Sequence, residues 1–300
     1  MMWEVKKLKF FRLHFFKRQS RELHIQATLA FFEVIEGFTI DMDENSVRFN
    51  YVDPKTKQTA RFLIMPKSQV ADIYNLSPEF LDLNFQLEIP TTSPDYFFEK
   101  MLKIAKRLVE RFDYYVYHDS FENVLPFKYD MSLRIFQMIK AKYLELNPSI
   151  AGEFIKVDRS VLNDIYKYLD EMLSLQKHYN SSETYVPFYY FFTNQNNELK
   201  IAFEWKYDTL TVIPAHVDYL VLNKNHEVIF IKFDEFFELA NKFLEPVPGF
   251  IKDTYVVPKK NLRRINKILR SNKYTKLIEK LTKTTHDKLL DWGKYEKLYF

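Results

Sequence analysis

Glu204 and Lys206 have the clearest catalytic potential in the chain, because they lie two residues apart at the end of an apolar, strand-like segment, 199–206. A carboxylate at such a position can hold Mg²⁺, and a neighbouring ammonium group can orient or activate an attacking water. The preceding strand-like segment, 185–193, contains no acid, and Glu183 lies just before it.

The Glu-x-Lys spacing resembles that of the metal-dependent nucleases of the PD-(D/E)xK type. The resemblance implies that Glu204 would bind Mg²⁺ and that Lys206 would activate water. That family also has a second acid on the adjoining strand and a helix after the triplet. Here the adjoining segment lacks that acid, and 208–222 predicts further strand. A glutamate and a lysine two apart are also common on an exposed strand face. A magnesium-dependent nuclease is therefore the second alternative among the functions that we consider.

The rest of the sequence lacks the usual short motifs for nucleophilic catalysis, phosphate binding and metal binding. The chain has no cysteine, which excludes thiolate nucleophiles, disulfides and cysteine-ligated metals. Its four glycines are far apart, so a phosphate-binding loop of the Rossmann, Walker or kinase type cannot form. No two of the seven histidines have the i, i+4 spacing of a helical metal site. We expect no cofactor, no metal site and no catalytic residue.

Charge is segregated along the chain. The formal net charge is +4. Residues 1–22 contain seven basic and two acidic residues, and residues 259–300 contain thirteen basic and four acidic residues. The two ends therefore carry +5 and +9, and the middle carries −10. Basic ends either bind an anionic partner or lie against the acidic middle of the chain.

The first half of the chain alternates between strand and helix patterns. Arg48 and Asn50 alternate with apolar residues, which is the period of a half-buried strand. Pro94 follows Ser93 at the start of an amphipathic segment, as at a helix N-terminus. The predicted order is strand 7–16, helix 20–36, hairpin 46–65, strand 83–89, helix 95–111, strand 114–118 and helix 130–146.

The second half predicts a similar succession, which indicates an α+β fold of two similar modules, each a mostly antiparallel sheet with helices on one face. Asp95 and Asp234 open helices at corresponding places in the two halves. The predicted elements are strand 154–157, helix 160–177, strands near 185–193, 198–206, 217–222 and 226–233, helix 234–244 and strand 255–257. The predicted domains are 1–147, 148–258 and a basic helical C-terminus, 259–300.

The element order of the first half resembles the C-terminal FtsZ-binding domain of the bacterial division protein ZipA, a split β-α-β arrangement. The resemblance lies in the apolar strand 83–90 that ends in Pro90, the long helix after it, the short strand that ends at His118 and Asp119, and the final helix. It implies that one face of the sheet binds a protein partner. On this face the pattern predicts polar side chains rather than that family's apolar groove, with Arg48, Arg61, Leu63, Gln86 and Tyr117 as binding residues.

The basic C-terminus offers an alternative function, nucleic-acid binding. The spacing predicts two helices, 259–270 and 274–288, joined by a short turn at 271–272. Their apolar residues would face inward. The predicted outward basic surface consists of Arg263, Arg264, Lys267 and Arg270. Such a surface would bind phosphates in a strongly salt-dependent way.

The apolar and basic segments of the chain indicate where the protein is located and what it binds. No run of 18 apolar residues exists, so we expect no transmembrane segment and a cytoplasmic protein. The abundance of Phe and Tyr, with 29 and 20 copies, is typical of an AT-rich bacterial genome. A protein partner is our first expectation. Nucleic acid at the C-terminus and peripheral membrane contact through the Lys- and Phe-rich N-terminus are the alternatives.

Overall fold

The structure, a computed structural model, describes residues 9–179, 184–207, 209–224, 227–270, 274–275, 277 and 279–293. These residues form an α+β fold and divide into two compact units, 9–153 and 154–293. The division between Glu153 and Phe154 lies six residues after the predicted boundary at 147. Within the described residues, every helix is too short or too polar to cross a lipid bilayer.

The first unit is built on one six-stranded antiparallel sheet with the strand order β2-β3-β4-β5-β1-β6. The first strand of the chain therefore lies inside the sheet, between β5 and β6. In chain order the elements are β1 (Phe10–Arg18), α1 (Ile25–Glu33), β2 (Phe38–Met42), β3 (Val47–Val52), β4 (Thr59–Ile64), β5 (Phe80–Pro90), α2 (Asp95–Phe112), β6 (Tyr115–Tyr117), α3 (Tyr129–Leu146) and α4 (Pro148–Gly152).

Helices α1, α2 and α3 pack on the same face of this sheet. The ring of Phe32 in α1 lies 4.3 Å from that of Phe49 in β3. The rings of Phe98 in α2 and Phe136 in α3 lie 4.9 and 6.0 Å from that of Phe11 in β1. All five side chains are fully buried, and each contributes about 2 to 3 kcal/mol to folding. The opposite face of the sheet consequently carries the polar side chains.

Two local details differ from the sequence-based prediction in this unit. Helix α1 begins at Ile25 rather than at 20, because Ser20 accepts the backbone N–H of Glu22 in a turn instead of capping a helix. Strand β2 was not predicted. Its residues 38–42 pair with β3 through the tight turn at Asp43, whose carboxylate accepts the N–H groups of Asn45 and Ser46.

The described part of the N-terminus forms strand β1. Residues 1–8 lie outside the described residues. In β1, Phe11, Phe15 and Phe16 are fully buried. These three aromatic side chains belong to the protein core, and membrane contact through the rest of the N-terminus stays a prediction.

The second unit contains three sheets, so its strand arrangement differs from that of the first. Their orders are β13-β12-β10-β9-β16, β14-β15-β11-β8 and β17-β7. The elements are β7 (Ile155–Asp158), α5 (Arg159–His178), β8 (Thr184–Tyr185), β9 (Tyr189–Thr193), β10 (Leu199–Trp205), β11 (Leu210–Ile213), β12 (Tyr219–Lys224), β13 (Glu227–Lys232), α6 (Phe233–Ala240), β14 (Glu245–Pro246), β15 (Tyr255–Val256), α7 (Leu262–Arg270), β16 (Thr282–Thr284) and β17 (Leu289–Trp292). Both units consist of mostly antiparallel sheet with helices, but their strand topologies differ.

The predicted second helix of the basic C-terminus, 274–288, is wrong. Residues 271–273, 276, 278 and 294–300 lie outside the described residues. Within 279–293 the chain forms β16, a short 3-10 turn at His286–Lys288 and β17. The β-branched residues Thr282 and Thr284 pair with the edge of β9, and the buried Leu289 and Leu290 pair with β7. The C-terminal region is therefore helical at 259–270 and contains two strands within 279–293.

Candidate functional site

The face of the first sheet opposite its helices, called the polar face below, is organised in two rows of cross-strand neighbours. One row runs through Thr39, Asn50, Arg61, Glu88 and Arg12. The other runs through Asp41, Arg48, Leu63, Gln86, His14 and Tyr117. Both rows follow from the two-residue period of strands, which places alternate side chains on one face.

Glu88 forms the centre of this face because β5 lies between β4 and β1. Arg12 Nε donates to Glu88 Oε1 at 2.7 Å. Arg61 Nε donates to Glu88 Oε2 at 2.7 Å, and Arg61 Nη2 lies 2.6 Å from the same oxygen. Gln86 Nε2 donates to Oε1 at 3.0 Å. The carboxylate, only 4% exposed, is thereby fully hydrogen-bonded.

An aromatic ring fixes the same cations from another side. The Arg12 and Arg61 guanidinium carbons lie 5.9 and 5.6 Å from the centroid of the Phe10 ring, and Lys9 Nζ lies 5.7 Å from it. Cations in this position are attracted by the electron-rich face of the ring. We call Lys9, Phe10, Arg12, Arg61 and Glu88 the arginine cluster. Its formal charge is +2.

The arginine cluster exposes its cations and encloses its anion. The side chains of Arg12 and Arg61 are 33% and 45% exposed, whereas Glu88 is almost inaccessible. Each guanidinium has five N–H donors, and Glu88 occupies only some of them. The two groups are thus held in place from within the protein while their outer edges face solvent. Such an arrangement suits the recognition of carboxylates or phosphates.

The structure separates the five residues that the sequence predicted for this face. Arg61 and Gln86 lie at the arginine cluster. Arg48 lies away from it, paired with Asp43 at 2.9 Å beside the β2–β3 turn. Leu63 and Tyr117 are buried, at 6% and 8% exposure. They therefore pack within the protein instead of lining an accessible surface.

The local environment of Tyr117 accounts for its burial. The ring of Phe16 packs 6.1 Å away. Burial raises the pKa of the Tyr117 hydroxyl, and the nearby carboxylates of Asp119 and Asp72 raise it further. Asp72 belongs to the connection between β4 and β5, so this connection passes beside Tyr117.

Sequence reasoning missed Arg12 as a member of the site. Arg12 and His14 alternate with the buried residues Phe11, Leu13 and Phe15 in β1. That alternation was a readable signal that they face away from the core. It could not show that Arg12 meets Glu88, which is 76 positions later in the chain.

The predicted basic surface lies on α7. Arg263, Arg264, Lys267 and Arg270 are exposed, while Ile265 and Leu269 are buried against the rest of the second unit. The Arg264 guanidinium lies 5.5 Å from the Phe243 ring, and that of Arg270 lies 5.3 Å from the Tyr207 ring. Helix α7 packs against α6, which begins with Asp234 and Glu235. A basic helix and an acidic helix are therefore neighbours here.

Glu204 and Lys206 contact different neighbours among the described residues. Glu204 accepts hydrogen bonds from the Tyr190 hydroxyl at 3.2 Å and from Asn223 Nδ2 at 2.6 Å. Lys206 Nζ lies 4.1 Å from the centroid of the Tyr185 ring. Burial, reinforced by the charge of Glu204, raises the pKa of Tyr185 to about 12. Uncharged donors thus satisfy this carboxylate, and the triplet is followed by β11 rather than a helix.

No group of three or more His, Asp or Glu side chains in the described part of the chain is arranged to hold a metal ion. Comparisons with protein-family models, with curated proteins and with solved structures find no significant match.

Proposed function

We propose that the chain is a non-catalytic protein-interaction module, a cell-division or cytoskeletal adaptor, as its resemblance to the FtsZ-binding domain of ZipA implies. It binds a protein partner on the polar face of the first sheet. The proposal rests on one observation above all. The helices of the first unit occupy one face of the sheet, and the other face carries a preformed, partly exposed pair of arginines.

A protein partner fits this face better than a small substrate does. Recognition by a surface requires side chains that already have the right position, because ordering them on binding costs free energy. Arg12 and Arg61 are already ordered by Glu88 and Phe10. Among the described residues, neither the polar face nor the surroundings of Glu204 combine a nucleophile with a base and an orienting group, as nucleophilic catalysis requires.

The test is a pull-down of tagged, full-length protein from an extract of its source cells, with and without nuclease, followed by mass spectrometry. We expect a discrete protein partner that persists after nuclease treatment. A partner among the division or cytoskeletal proteins would support the adaptor role. Loss of every partner upon nuclease treatment would contradict the proposal.

Nucleic-acid binding through α7 remains the second candidate, because four exposed cations lie on one nine-residue helix that contains no acid. Phosphate contacts release counterions, so the logarithm of the affinity would fall linearly with the logarithm of the salt concentration. The variant Arg263→Ala/Arg264→Ala should lower that slope by about 2 in filter-binding titrations with DNA. Binding that is independent of salt, or unchanged in this variant, would eliminate the candidate.

A further inference from the structure

We propose that the arginine cluster is a carboxylate-binding site, and that the partner reaches it with an extended acidic segment in which acidic and apolar residues alternate. The inference rests on the proposed function, since it names the chemistry by which the polar face would recognise its protein partner.

The first argument is that the protein itself already binds a carboxylate there. Glu88 accepts N–H groups from Arg12 and Arg61 at 2.6 to 2.7 Å, which is the geometry of strong charge-assisted hydrogen bonds. Strands β1 and β4 flank β5, so the Cα atoms of the two arginines are about 10 Å apart. One enclosed carboxylate cannot use all their donors. The exposed edges remain available to a second carboxylate from outside.

The second argument is the aromatic ring beside the exposed cations. The Phe10 ring lies 5.9 and 5.6 Å from the guanidinium carbons of Arg12 and Arg61 and is itself partly exposed. A peptide supplies both complements, a carboxylate for the arginines and an apolar side chain for the ring. A free inorganic anion supplies only the first.

The third argument concerns the charge around the arginine cluster, which disfavours a long polyanion. Asp41, at one end of the polar face, and Asp43 and Glu44, in the turn after β2, are all exposed. A nucleic-acid backbone that crossed the sheet would meet these acids. A short acidic segment can end before them, and its apolar residues can contact the half-exposed ring of Phe10.

The experiment measures the binding of a fluorescein-labelled, acetylated octapeptide in which glutamate alternates with valine. Fluorescence anisotropy with the full-length protein gives the affinity at low and high salt. The control peptide has glutamine in place of every glutamate. We expect the glutamate peptide to bind at least tenfold more tightly than the control, and this difference to shrink at high salt.

Three variants locate the binding. Arg12→Ala/Arg61→Ala/Glu88→Gln removes both cations together with the carboxylate that they cover, so that no buried charge is left unpaired. It should weaken peptide binding at least tenfold. Glu88→Gln alone should strengthen binding several-fold, because it frees arginine donors and adds one net positive charge, while the glutamine oxygen and the Phe10 ring still hold the guanidinium groups in place. Arg263→Ala/Arg264→Ala, which removes the same number of arginines elsewhere, should bind like the unmodified protein.

The gain expected for Glu88→Gln protects the test against misfolding, since an unfolded variant cannot bind more tightly. Thermal melting of each variant provides the fold control. The proposal is overturned if the triple variant binds as well as the unmodified protein, if Glu88→Gln does not tighten binding, or if the glutamine peptide binds equally. It is also overturned if a single-stranded oligonucleotide of equal charge displaces the peptide at lower concentration.

The peptide-binding experiment and the pull-down can fail independently of each other. If the pull-down captures the same partner with the triple variant as with the unmodified protein, the adaptor role stands and the carboxylate site is wrong. If the peptide binds as expected but the cells yield no nuclease-resistant partner, the site stands and the adaptor role is wrong.

Discussion

Gly37 lies in the connection from α1 to β2, where the backbone conformation and the close packing both favour glycine. Its φ is +97°, a conformation that L-residues rarely adopt. A Cβ atom built there would lie 2.8 Å from Cε2 of Tyr51 and 2.9 Å from the backbone oxygen of Val52. The glycine therefore serves two purposes at once, a left-handed backbone between α1 and β2 and a close approach to β3.

Gly37→Ala should destabilise the protein by about 1 to 3 kcal/mol, because backbone strain and steric overlap add. Chemical denaturation followed by circular dichroism measures the change. Gly249→Ala is the matched control. Gly249 also has a positive φ, +68°, but nothing lies within 4 Å of its added Cβ. Equal losses in the two variants would show that the contact with Tyr51 and Val52 is unimportant.

Asp82 is a buried acid whose environment opposes its charge. Burial raises its pKa above the ordinary value of 3.8, although the Ser68 side chain, the N–H of Asn84 and the charge of Arg21 act in the opposite direction. The folded state therefore binds the proton more tightly than the unfolded chain does. As the pH rises from 3.8 through the raised pKa, this group progressively lowers the stability of the fold.

Asp82→Asn should consequently raise the denaturation midpoint at pH 7 and leave it almost unchanged at pH 3, where the acid is already protonated. The asparagine retains the oxygen that accepts the N–H of Asn84. Urea titrations of both proteins at the two pH values test this. A variant that is less stable at pH 7 would show that the carboxylate charge stabilises the fold.

Helices α2 and α3 are connected by a buried ion pair between Lys140 and Asp95. Lys140 in α3 is 0% exposed, and its Nζ lies 3.0 Å from Asp95 Oδ1 and 2.8 Å from the Ser93 carbonyl oxygen. Asp95 opens α2 and also accepts Gln137 Nε2 at 2.7 Å. The ion pair connects the start of α2 with the middle of α3 and leaves neither charge alone.

Lys140→Met should cost about 3 to 5 kcal/mol, because it leaves Asp95 as a buried charge without its ammonium partner. Lys140→Met/Asp95→Asn should recover part of that loss. Denaturation midpoints measure both. As a surface control, Lys106→Ala breaks an exposed i, i+4 pair with Glu110 and should change stability by at most about 0.5 kcal/mol. A small effect of Lys140→Met would mean that Asp95 is solvated in the variant.

Sequence periodicity located most elements of the first unit. Helix α2, predicted at 95–111, spans Asp95–Phe112, and the hairpin of β3 and β4 lies where it was predicted. These segments have clean apolar repeats of 3.6 or 2 residues. The C-terminal strand β16 was predicted as helix because it lies within 274–288, a segment whose lysines and leucines also fit helical spacing. Pairing with a distant strand, here β9, determined the outcome.

The candidate site could be predicted only in part, because it too depends on contacts between residues distant in the chain. Alternation put Arg61 and Gln86 on the polar face, and the structure has them there. It also put Leu63 and Tyr117 there, but alternation carries no information about the chain segments that cover a face. The register between β1 and β5, which creates the arginine cluster, depends on residues more than 60 positions apart.

At the scale of the whole molecule, the described residues of the first unit form one continuous stretch of chain, 9–153. All six strands of the first sheet and the helices packed on it lie between residues 10 and 152. The buried aromatic and aliphatic side chains of this stretch form one hydrophobic core. The first unit therefore has the content of an independently folding domain.

A fragment of residues 1–153, expressed alone, should fold and unfold in one cooperative transition. Circular dichroism and the dispersion of amide NMR signals measure this. A fragment that ends at residue 117 retains all six strands but lacks α3, with the buried Phe136, and should be much less stable. A disordered 1–153 fragment would show that the second half of the chain is required for the fold of the first.

The internal position of β1 has a consequence for synthesis on the ribosome. Phe10 to Arg18 pair with residues that are 62 to 80 positions further along the chain. At about 5 to 20 residues per second, translation needs about 3 to 16 s to supply them. During that interval a nascent segment rich in phenylalanine is without its partner strand. We expect this waiting time to make the emerging chain a client of ribosome-associated chaperones.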